Sequence, residues 1–388
     1  MKKKTKVVHM VTASTSVGLM KGQLSYLVNL GFDVTIISSS GKELEGVRVK
    51  ENVNIKAINM ERSISILRDL VSLIKIIFYF LKLKPSICNA GTPKAGLLGM
   101  LGAWLTRVPF KVYTIRGLPF ETASGLQKRI LIFTEKIACF CADKVICISP
   151  SLEKKVIDYQ LTSKKKTIVF GHGSSNGIQI DKFIKTLEVQ KQVERIKIEK
   201  KLNNYKLVIG YVGRINRSKG INELVKAFEN LQKKYDNIAL IMIGAKEEKD
   251  SISKETYLKV SKNPHIKEIG KVKDPIPYYF IMDVLAFPTH REGFGNVSIE
   301  AQATGTPVVT TNATGAVDTV INNETGLIVD IEDEIALERN LERFIINPNL
   351  VKELGMNGLQ RVERDFDSMI IWSSLEKLYK SSLNNRYN

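Results

Sequence analysis

Arg291-Glu-Gly-Phe-Gly-Asn-Val-Ser-Ile-Glu-Ala-Gln-Ala-Thr-Gly305 is the stretch of sequence that decides the fold of this chain. The apolar run at 284–288 precedes it and predicts a buried strand. Gly293 and Gly295 predict a tight turn. A helix is expected to begin near Asn296 and to carry Glu300 in its early turns. A strand that leads through a glycine-rich turn into a helix is the first half of a βαβ unit.

The same stretch carries two carboxylates, Glu292 and Glu300, on either side of the expected helix start. A helix N-terminus presents unpaired N–H groups and a partial positive charge, so phosphate is a natural ligand there. Carboxylates do not bind phosphate, but they accept hydrogen bonds from hydroxyl groups. The pattern therefore predicts a site for a phosphate joined to sugar or ribose, as in a nucleotide sugar. The alternative is a capped helix whose glutamates face water.

Strands and helices alternate on both sides of this stretch. Strands are expected at 6–12, 33–38, 53–58, 86–89, 111–115, 144–149 and 166–170, and again at 207–212, 238–243, 265–269, 284–288, 307–310 and 326–329. Such alternation predicts parallel sheets covered by helices on both faces. The fold class is therefore α/β, with two doubly wound Rossmann-like domains facing a cleft.

The domain boundary is expected where the composition changes. Residues 184–202 are rich in Lys, Glu and Gln and predict a helical connection. We expect a first domain over 1–183 and a second over 184–367. The last helix, about 368–388, has no strand after it and is expected to pack back on the first domain.

The positive charge is concentrated in the first domain. Residues 1–166 hold 27 Lys and Arg against 11 Asp and Glu, whereas 167–388 hold 31 against 29. An anionic partner is therefore expected at the first domain, either a membrane surface or nucleic acid. No RNP-like run, zinc finger or basic aromatic platform supports nucleic acid, so we expect salt-sensitive binding to anionic lipid.

Neither a membrane span nor a metal site is predicted. The four cysteines lack a paired C-x-x-C spacing, which favours buried reduced thiols over zinc. The basic start has too short an apolar run for a signal peptide. Charged residues interrupt the apolar segment 64–83, which is predicted as a basic helix that lies on a membrane or packs in the core. The expected location is cytoplasmic, peripheral on the inner face of the plasma membrane.

Two cations follow the strand expected at 207–212. Arg214 comes directly after Gly213, and Lys219 stands at the start of the next helix. Together they would neutralise a diphosphate. Cations at a helix start are unfavourable unless an anion lies nearby, which favours a phosphate site over ordinary exposed side chains.

These motifs resemble retaining glycosyltransferases of family 4, which have the GT-B fold. The resemblance lies in Gly-Arg…Lys-Gly at 213–220, Arg-Glu-Gly-Phe-Gly…Ser-Ile-Glu-Ala at 291–301, Gly-Thr-Pro-Val-Val at 305–309 and Thr-Gly-Leu at 325–327. Glu292 and Glu300 match the paired-glutamate motif E-x7-E of that family. The first half resembles the subgroup that acts on polyprenyl-diphosphate-linked sugars in bacterial capsule, O-antigen or glycan assembly, through the segments 91–96, 113–119 and 172–178.

The resemblance implies a role for each of these residues. Arg214 and Lys219 would hold the donor diphosphate, Glu300 would bind the ribose hydroxyls, and Glu292 would contact the donor sugar near its anomeric carbon. The turn between the glutamates would line the same site: Gly293, Phe294, Gly295 and Asn296. The chemistry of the family keeps the anomeric configuration and needs neither a metal nor another cofactor. The implied partners are a UDP-sugar, with an N-acetylhexosamine favoured, and a polyprenyl-diphosphate-linked saccharide.

The first half departs from the family at one position. Many members carry a His after the strand that corresponds to 111–115, and here that position is Arg116. Arg cannot act as a base but can contact a phosphate or the sugar, so Arg116 is assigned to the catalytic centre with Glu292. His172 is the nearest alternative histidine and is assigned to substrate binding. Gly18, in the loop after the first strand, is assigned to substrate binding.

Two alternatives remain open from the sequence. One is a UDP-N-acetylhexosamine epimerase on a similar two-domain fold, and the other is a sugar-binding protein without catalysis. A dehydrogenase is disfavoured because the first βαβ unit lacks a G-x-G-x-x-G fingerprint.

Overall fold

Two compact units make up the chain. The computed structural model describes residues 4–61, 65–248 and 250–384. The first unit comprises Met1–Gly177 with Ser368–Asn388, and the second comprises Ile178–Asp367. The sequence analysis placed the boundary after residue 183, whereas the structure places it after Gly177. Ile178 belongs to the second unit, where its N–H donates to the Phe366 carbonyl at 2.9 Å.

The first unit is a parallel sheet of seven strands in the order β3-β2-β1-β4-β5-β6-β7. Its strands are β1 (Lys6–Met10), β2 (Asp33–Ser38), β3 (Asn54–Ala57), β4 (Ile87–Gly91), β5 (Phe110–Ile115), β6 (Lys144–Cys147) and β7 (Thr167–Ile168). Its helices are α1 (Gln23–Asn29), α2 (Lys42–Glu51), α3 (Ile66–Leu83), α4 (Pro93–Leu105), α5 (Gly125–Cys141) and α6 (Pro150–Asp158). All four cysteines are buried free thiols, as predicted.

The second unit is a parallel sheet of six strands in the order β10-β9-β8-β11-β12-β13. Its strands are β8 (Leu207–Val212), β9 (Ile238–Ile243), β10 (Ile266–Gly270), β11 (Val284–Phe287), β12 (Val308–Thr311) and β13 (Gly326–Val329). Its helices are α7 (Leu187–Glu199), α8 (Ile221–Gln232), α9 (Lys254–Lys262), α10 (Ile276–Tyr279), α11 (Asn296–Gln302), α12 (Glu334–Ile346) and α13 (Pro348–Asp365). Every residue of β8, β9 and β11 is buried, as expected for strands covered on both faces.

The last helix, α14 (Ser368–Asn384), packs on the first unit. Its Tyr379 hydroxyl accepts a hydrogen bond from Asn89 Nδ2 at 2.8 Å and lies 3.2 Å from Nε2 of the buried His9. Trp372 Nε1 donates to Asn176 Oδ1 at 2.8 Å. These buried polar contacts fix α14 against the first sheet.

The order of strands reverses once in each sheet, between β1 and β4 and between β8 and β11. Ligands of doubly wound sheets bind outside the carboxyl ends of the strands at such a reversal. The loops after β8 and β11 are therefore the first place to look for a site in the second unit. No helix among the described residues is long and apolar enough to cross a membrane.

Candidate active site

The loops after β8 and β11 bring Lys219 and Glu292 together, although the two residues are 73 positions apart. Lys219 ends a 3-10 turn, Arg217–Lys219, and its ammonium group forms an ion pair with Glu292. The same group donates to the Arg291 carbonyl at 3.2 Å. Only 10% of the Lys219 side chain and 23% of the Glu292 side chain are exposed. The structure thus places a shielded cation and a carboxylate at the strand reversal.

Glu300 lies on α11 and is partly buried rather than turned to water. The Tyr279 hydroxyl donates to Glu300 Oε2 at 2.7 Å, which fixes the carboxylate. Burial raises the pKa of Glu300 above its usual range, and the hydrogen bond from Tyr279 partly opposes this shift. The carboxylate keeps its other lone pairs for further donors, as a site for hydroxyl groups requires.

The turn between the two glutamates is held by the loop after β12. The Glu292 N–H donates to the Thr314 carbonyl at 3.1 Å. The Phe294 side chain is buried against Phe366, with ring centroids 5.4 Å apart, and Gly295 adopts a left-handed conformation at φ +91°. Because the Phe294 ring points into the core, Phe294 can offer only its backbone to a ligand.

Gly315→Ala is expected to displace this turn and to lower transferase activity at least tenfold. Gly315 has φ +77°, and an added Cβ would lie 2.5 Å from the Gly293 carbonyl carbon and 2.7 Å from the Phe294 nitrogen. Backbone atoms cannot move aside as a side chain can, so the turn that carries Glu292 must shift. Gly305→Ala is the control, because its φ is +77° as well but its added Cβ meets nothing within 4 Å. Equal activity of the two variants, measured by initial rates, would contradict the prediction.

Arg214 has a partner that the sequence analysis did not foresee. Its guanidinium donates to both oxygens of Glu247, at 2.9 and 2.7 Å, and the side chain is 57% exposed. Glu247 follows β9, so its proximity depends on the pairing of β8 with β9. A diphosphate ligand would have to compete with Glu247 for Arg214, whereas Lys219 is already directed to the strand reversal.

One group of side chains in the second unit could hold a metal ion. His290 Nε2 lies 3.3 Å from Glu223 Oε1, and its Nδ1 lies 3.6 Å from Glu332 Oε1. The sequence analysis did not single out this group, because its members are far apart in sequence: Glu223 lies in the first turn of α8, His290 follows β11 and Glu332 follows β13. The chain also contains the pattern Asp365-Phe-Asp367, but Arg364 forms two hydrogen bonds with the Asp365 carboxylate. Metal-independent chemistry stays a prediction.

Arg116 lines a small cavity of the first unit at the end of β5. Its guanidinium donates to Ser175 Oγ, and its Nε has no hydrogen-bond partner among the described residues. The other polar side chains lining this cavity are Gln23, Asn89, Thr114 and Ser174. Burial lowers the pKa of Arg116 to about 10, a value at which it is still a cation at neutral pH.

The surroundings of Arg116 contain no counter-ion. Within the described part of the chain no carboxylate forms an ion pair with Arg116. Burial, and then the charge of Arg116, lower the pKa of His9 to about 3, so His9 is neutral at physiological pH. A partly buried cation without an anion costs free energy. The uncompensated charge therefore favours an anion close to Arg116.

Gly18 and His172 do not lie at this cavity. Gly18 is exposed in the 3-10 helix Ser14–Met20, and a Cβ added there would meet nothing within 4 Å. His172 is exposed on the loop after β7. Neither residue lines the cavity of Arg116, so the structure does not group them with it.

Several neighbours of the predicted site residues were not foreseen from the sequence. Tyr279, Glu247, Gln23 and Ser175 were not singled out, and each contacts or lies near a predicted residue only through the fold. A tyrosine one turn before a buried strand gives no signal in the sequence that it will meet Glu300.

The two parallel sheets, and the paired glutamates with a lysine at the second reversal, define a glycosyltransferase of the GT-B fold. Residues 3–149 match the family described as glycosyl transferase 4-like, and 192–361 match the family described as glycosyl transferases group 1. The chain belongs to glycosyltransferase family 4. The family and the α/β GT-B fold predicted from the sequence are thus confirmed.

Several known proteins are similar to this chain. The capsular polysaccharide biosynthesis glycosyltransferase CapM of Staphylococcus aureus is 47% identical over 384 residues, 98% of either chain. The UDP-Gal:alpha-D-GlcNAc-diphosphoundecaprenol alpha-1,3-galactosyltransferase of Escherichia coli is 22% identical over 82% of this chain and 81% of its own. Anabaena Alr3699/HepE, crystallised with UDP and glucose, has a TM-score of 0.81 at 18% identity, over 97% of this chain and 100% of its own.

Proposed function

We propose that this glycosyltransferase moves a sugar from a UDP-sugar to a polyprenyl-diphosphate-linked saccharide, with retention, in the assembly of a bacterial capsule or a related surface glycan. The observation that carries the proposal is the shielded ion pair of Lys219 with Glu292 at the reversal of the second sheet, with Glu300 on the helix that follows Glu292. The capsular function named for CapM and the lipid-diphosphate acceptor named for the Escherichia coli relative support it.

The donor half of the reaction uses the second unit. Lys219 stabilises the diphosphate as it leaves, Glu300 accepts hydrogen bonds from the ribose hydroxyls, and Glu292 accepts them from the donor sugar. A cation shielded from water stabilises developing negative charge more strongly than an exposed one does. This chemistry proceeds without a metal ion, and the UDP-sugar is a substrate rather than a cofactor.

The acceptor half of the reaction uses the first unit. The protein works at the cytoplasmic face of the membrane, as a peripheral protein. Arg116 contacts a phosphate of the lipid-linked acceptor, since its cavity offers a cation, hydroxyls and amides but no carboxylate. An N-acetylhexosamine is the favoured donor sugar. The family assignment favours transfer over the epimerase and the sugar-binding alternatives.

The test is a screen of radiolabelled UDP-sugars against a short-chain polyprenyl-diphosphate-linked sugar in detergent. One donor is expected to give a lipid-soluble labelled product, with and without EDTA, and NMR of the product should show the anomeric configuration of the donor. An epimerised nucleotide sugar formed without acceptor, an inverted product or a strict requirement for a divalent metal would contradict the corresponding part of the proposal.

Arg116→Gln is expected to raise the KM for the lipid acceptor at least tenfold, because the variant loses a charge-assisted contact to phosphate worth about 1.5–3 kcal/mol. Binding of UDP, followed by calorimetry, should not change. Arg107→Gln is the matched control, because Arg107 is an exposed arginine of the same unit that does not line the cavity. An unchanged acceptor KM in Arg116→Gln would remove this residue from the acceptor site.

A further inference from the structure

Three neighbouring helices of the first unit, α3, α4 and α5, form one layer on its sheet. The central helix α4 is rich in glycine, which lets α3 approach closely: a Cβ added at Gly102 would lie 2.7 Å from Ile76 Cγ2. The inner stripe of α3 consists of Ser72, Ile76 and Phe80, all buried. This stripe is the fully buried side of α3 and anchors the helix in the core.

The outward side of this layer is unusually apolar. We call it the three-helix face and define it by its large exposed apolar side chains: Ile66, Leu67, Leu70, Val71, Ile74, Phe78 and Leu81 of α3, Trp104 and Leu105 of α4, and Leu126, Ile130, Phe133 and Phe140 of α5. Leu67 is 79% exposed, Phe78 69% and Phe133 63%. Soluble monomers rarely expose so many large apolar residues on neighbouring elements, and such a patch usually marks an interaction site.

The charges among these apolar side chains are almost all positive. Lys75, Lys82, Arg129 and Lys136 are exposed on α3 and α5, and no described carboxylate forms an ion pair with any of them. The two acids of the three helices are already engaged: Asp69 pairs with Lys94 at 2.7 Å, and Glu135 is buried and accepts from the Tyr113 hydroxyl at 2.7 Å. The face therefore combines apolar side chains with an uncompensated positive charge.

We propose that the three-helix face inserts its apolar side chains into the interface of an anionic phospholipid bilayer, with α3 and α5 lying in the membrane plane. The inference rests on the proposed function in that a lipid-linked acceptor is met at such a surface. Helices that combine apolar side chains with Lys and Arg bind in this way, because the apolar groups enter the acyl boundary while the cations contact lipid phosphates.

A second copy of the chain fits the face less well. Two such faces brought together would place the unpaired lysines and arginines of both copies in one interface without carboxylates to compensate them. An anionic lipid surface satisfies the apolar groups and the cations at once. The helices lie on the bilayer rather than cross it, since no described helix has the length and apolarity of a span.

Tryptophan fluorescence can report the insertion of this face into a bilayer. The chain has two tryptophans: Trp104 is 50% exposed on the face, whereas Trp372 is a buried residue of α14 and is only 7% exposed. Adding vesicles of phosphatidylcholine with phosphatidylglycerol should shift the emission of Trp104 to the blue, and brominated acyl chains should quench it. Trp104→Phe should remove both effects. No blue shift and no quenching in the unaltered protein would overturn the proposal.

Matched variants test whether the face itself does the binding. Phe78→Ser combined with Phe133→Ser should weaken binding to these vesicles at least tenfold in a flotation assay. Ile335→Ser combined with Ile346→Ser is the control, because these α12 residues of the second unit are equally exposed, at 72% and 63%. Equal binding of the two variants would overturn the proposal. So would a lipid-independent dimer in sedimentation that the face variant dissociates.

Salt separates the two contributions to binding. Raising NaCl from about 0.1 M to about 1 M shortens the Debye length from about 10 Å to about 3 Å, which weakens the contribution of the cations. Binding of the unaltered protein should fall severalfold without vanishing, because apolar insertion is not screened. Complete loss of vesicle binding at high salt would mean that binding depends on charge alone, and it would overturn the proposed insertion of apolar side chains.

Failure of this inference and failure of the proposed function give different results. The face variant should still bind UDP and still transfer sugar to a short-chain acceptor dispersed in detergent, because no donor-site residue is changed. Vesicle binding by a protein that transfers no sugar would contradict the proposed function but not the proposal that the three-helix face binds the membrane. Sugar transfer without vesicle binding would contradict only the proposal that the three-helix face binds the membrane.

Discussion

Glu300→Ala is expected to lower kcat/KM for transfer by about 10²- to 10⁴-fold. A carboxylate that accepts hydrogen bonds from two ribose hydroxyls makes charged hydrogen bonds worth about 1.5–3 kcal/mol each, and each 1.4 kcal/mol corresponds to a factor of ten. Glu353→Ala is the matched control, since Glu353 is an exposed glutamate of α13 in the same unit. Full activity of purified Glu300→Ala would remove Glu300 from the donor site.

Stability distinguishes this role from a structural one. Because the pKa of Glu300 is raised in the folded protein, its contribution to stability is present below the unfolded pKa and is lost as pH rises through the folded pKa. At neutral pH, which lies above the unfolded pKa, burial of this carboxyl group therefore opposes folding. Glu300→Gln should melt at the same temperature as the unaltered protein or higher at pH 7, while losing activity. A large drop in melting temperature would indicate that the carboxylate mainly supports the fold.

The strands of both sheets were predictable because burial on two faces demands uninterrupted apolar runs. β8, β9 and β13 begin and end where those runs do. The helix α2 was not predicted, since a segment so rich in charge has only Leu44, Val47 and Glu51 to bury. Edge helices that bury little surface leave little trace in the sequence.

The stretch 291–305 could be singled out for a different reason, because its residues are close in sequence and follow a spacing that chemistry restricts. The partners of these residues could not. The contacts of Lys219 with Glu292 and of Tyr279 with Glu300 depend on how loops from different strands meet, and no local pattern encodes that. The pairing of Arg214 with Glu247 arises in the same way.

The segment around α3 shows what a pattern leaves undecided. Its apolar and basic residues were compatible with a core helix or a membrane helix, and the structure shows that one helix has both kinds of face. The inner stripe packs on α4, and the outer stripe belongs to the three-helix face. The spacing of apolar residues indicates which sides of a helix are apolar. Which of these sides is covered depends on the neighbouring elements.

Lys219→Met is the second variant expected to abolish transfer, and its effect on stability should be large as well. The substitution removes the cation for the leaving diphosphate and leaves Glu292 shielded from water without a partner. Breaking a buried ion pair from one side costs about 3–5 kcal/mol, so the melting temperature should fall clearly. Lys226→Met is the control, because the pair of Lys226 with Glu334 in the same unit is more exposed, at 54% and 33%.

The double variant Lys219→Met with Glu292→Gln separates the two effects. Removing both charges leaves no unpaired ion, so most of the lost stability should return, and the coupling measured by the thermodynamic cycle should exceed about 1 kcal/mol. Activity should not return, because the diphosphate still lacks its cation and the sugar still lacks its acceptor of hydrogen bonds. If the pair served the fold alone, activity would recover together with the melting temperature, and initial rates beside thermal unfolding decide between the two outcomes.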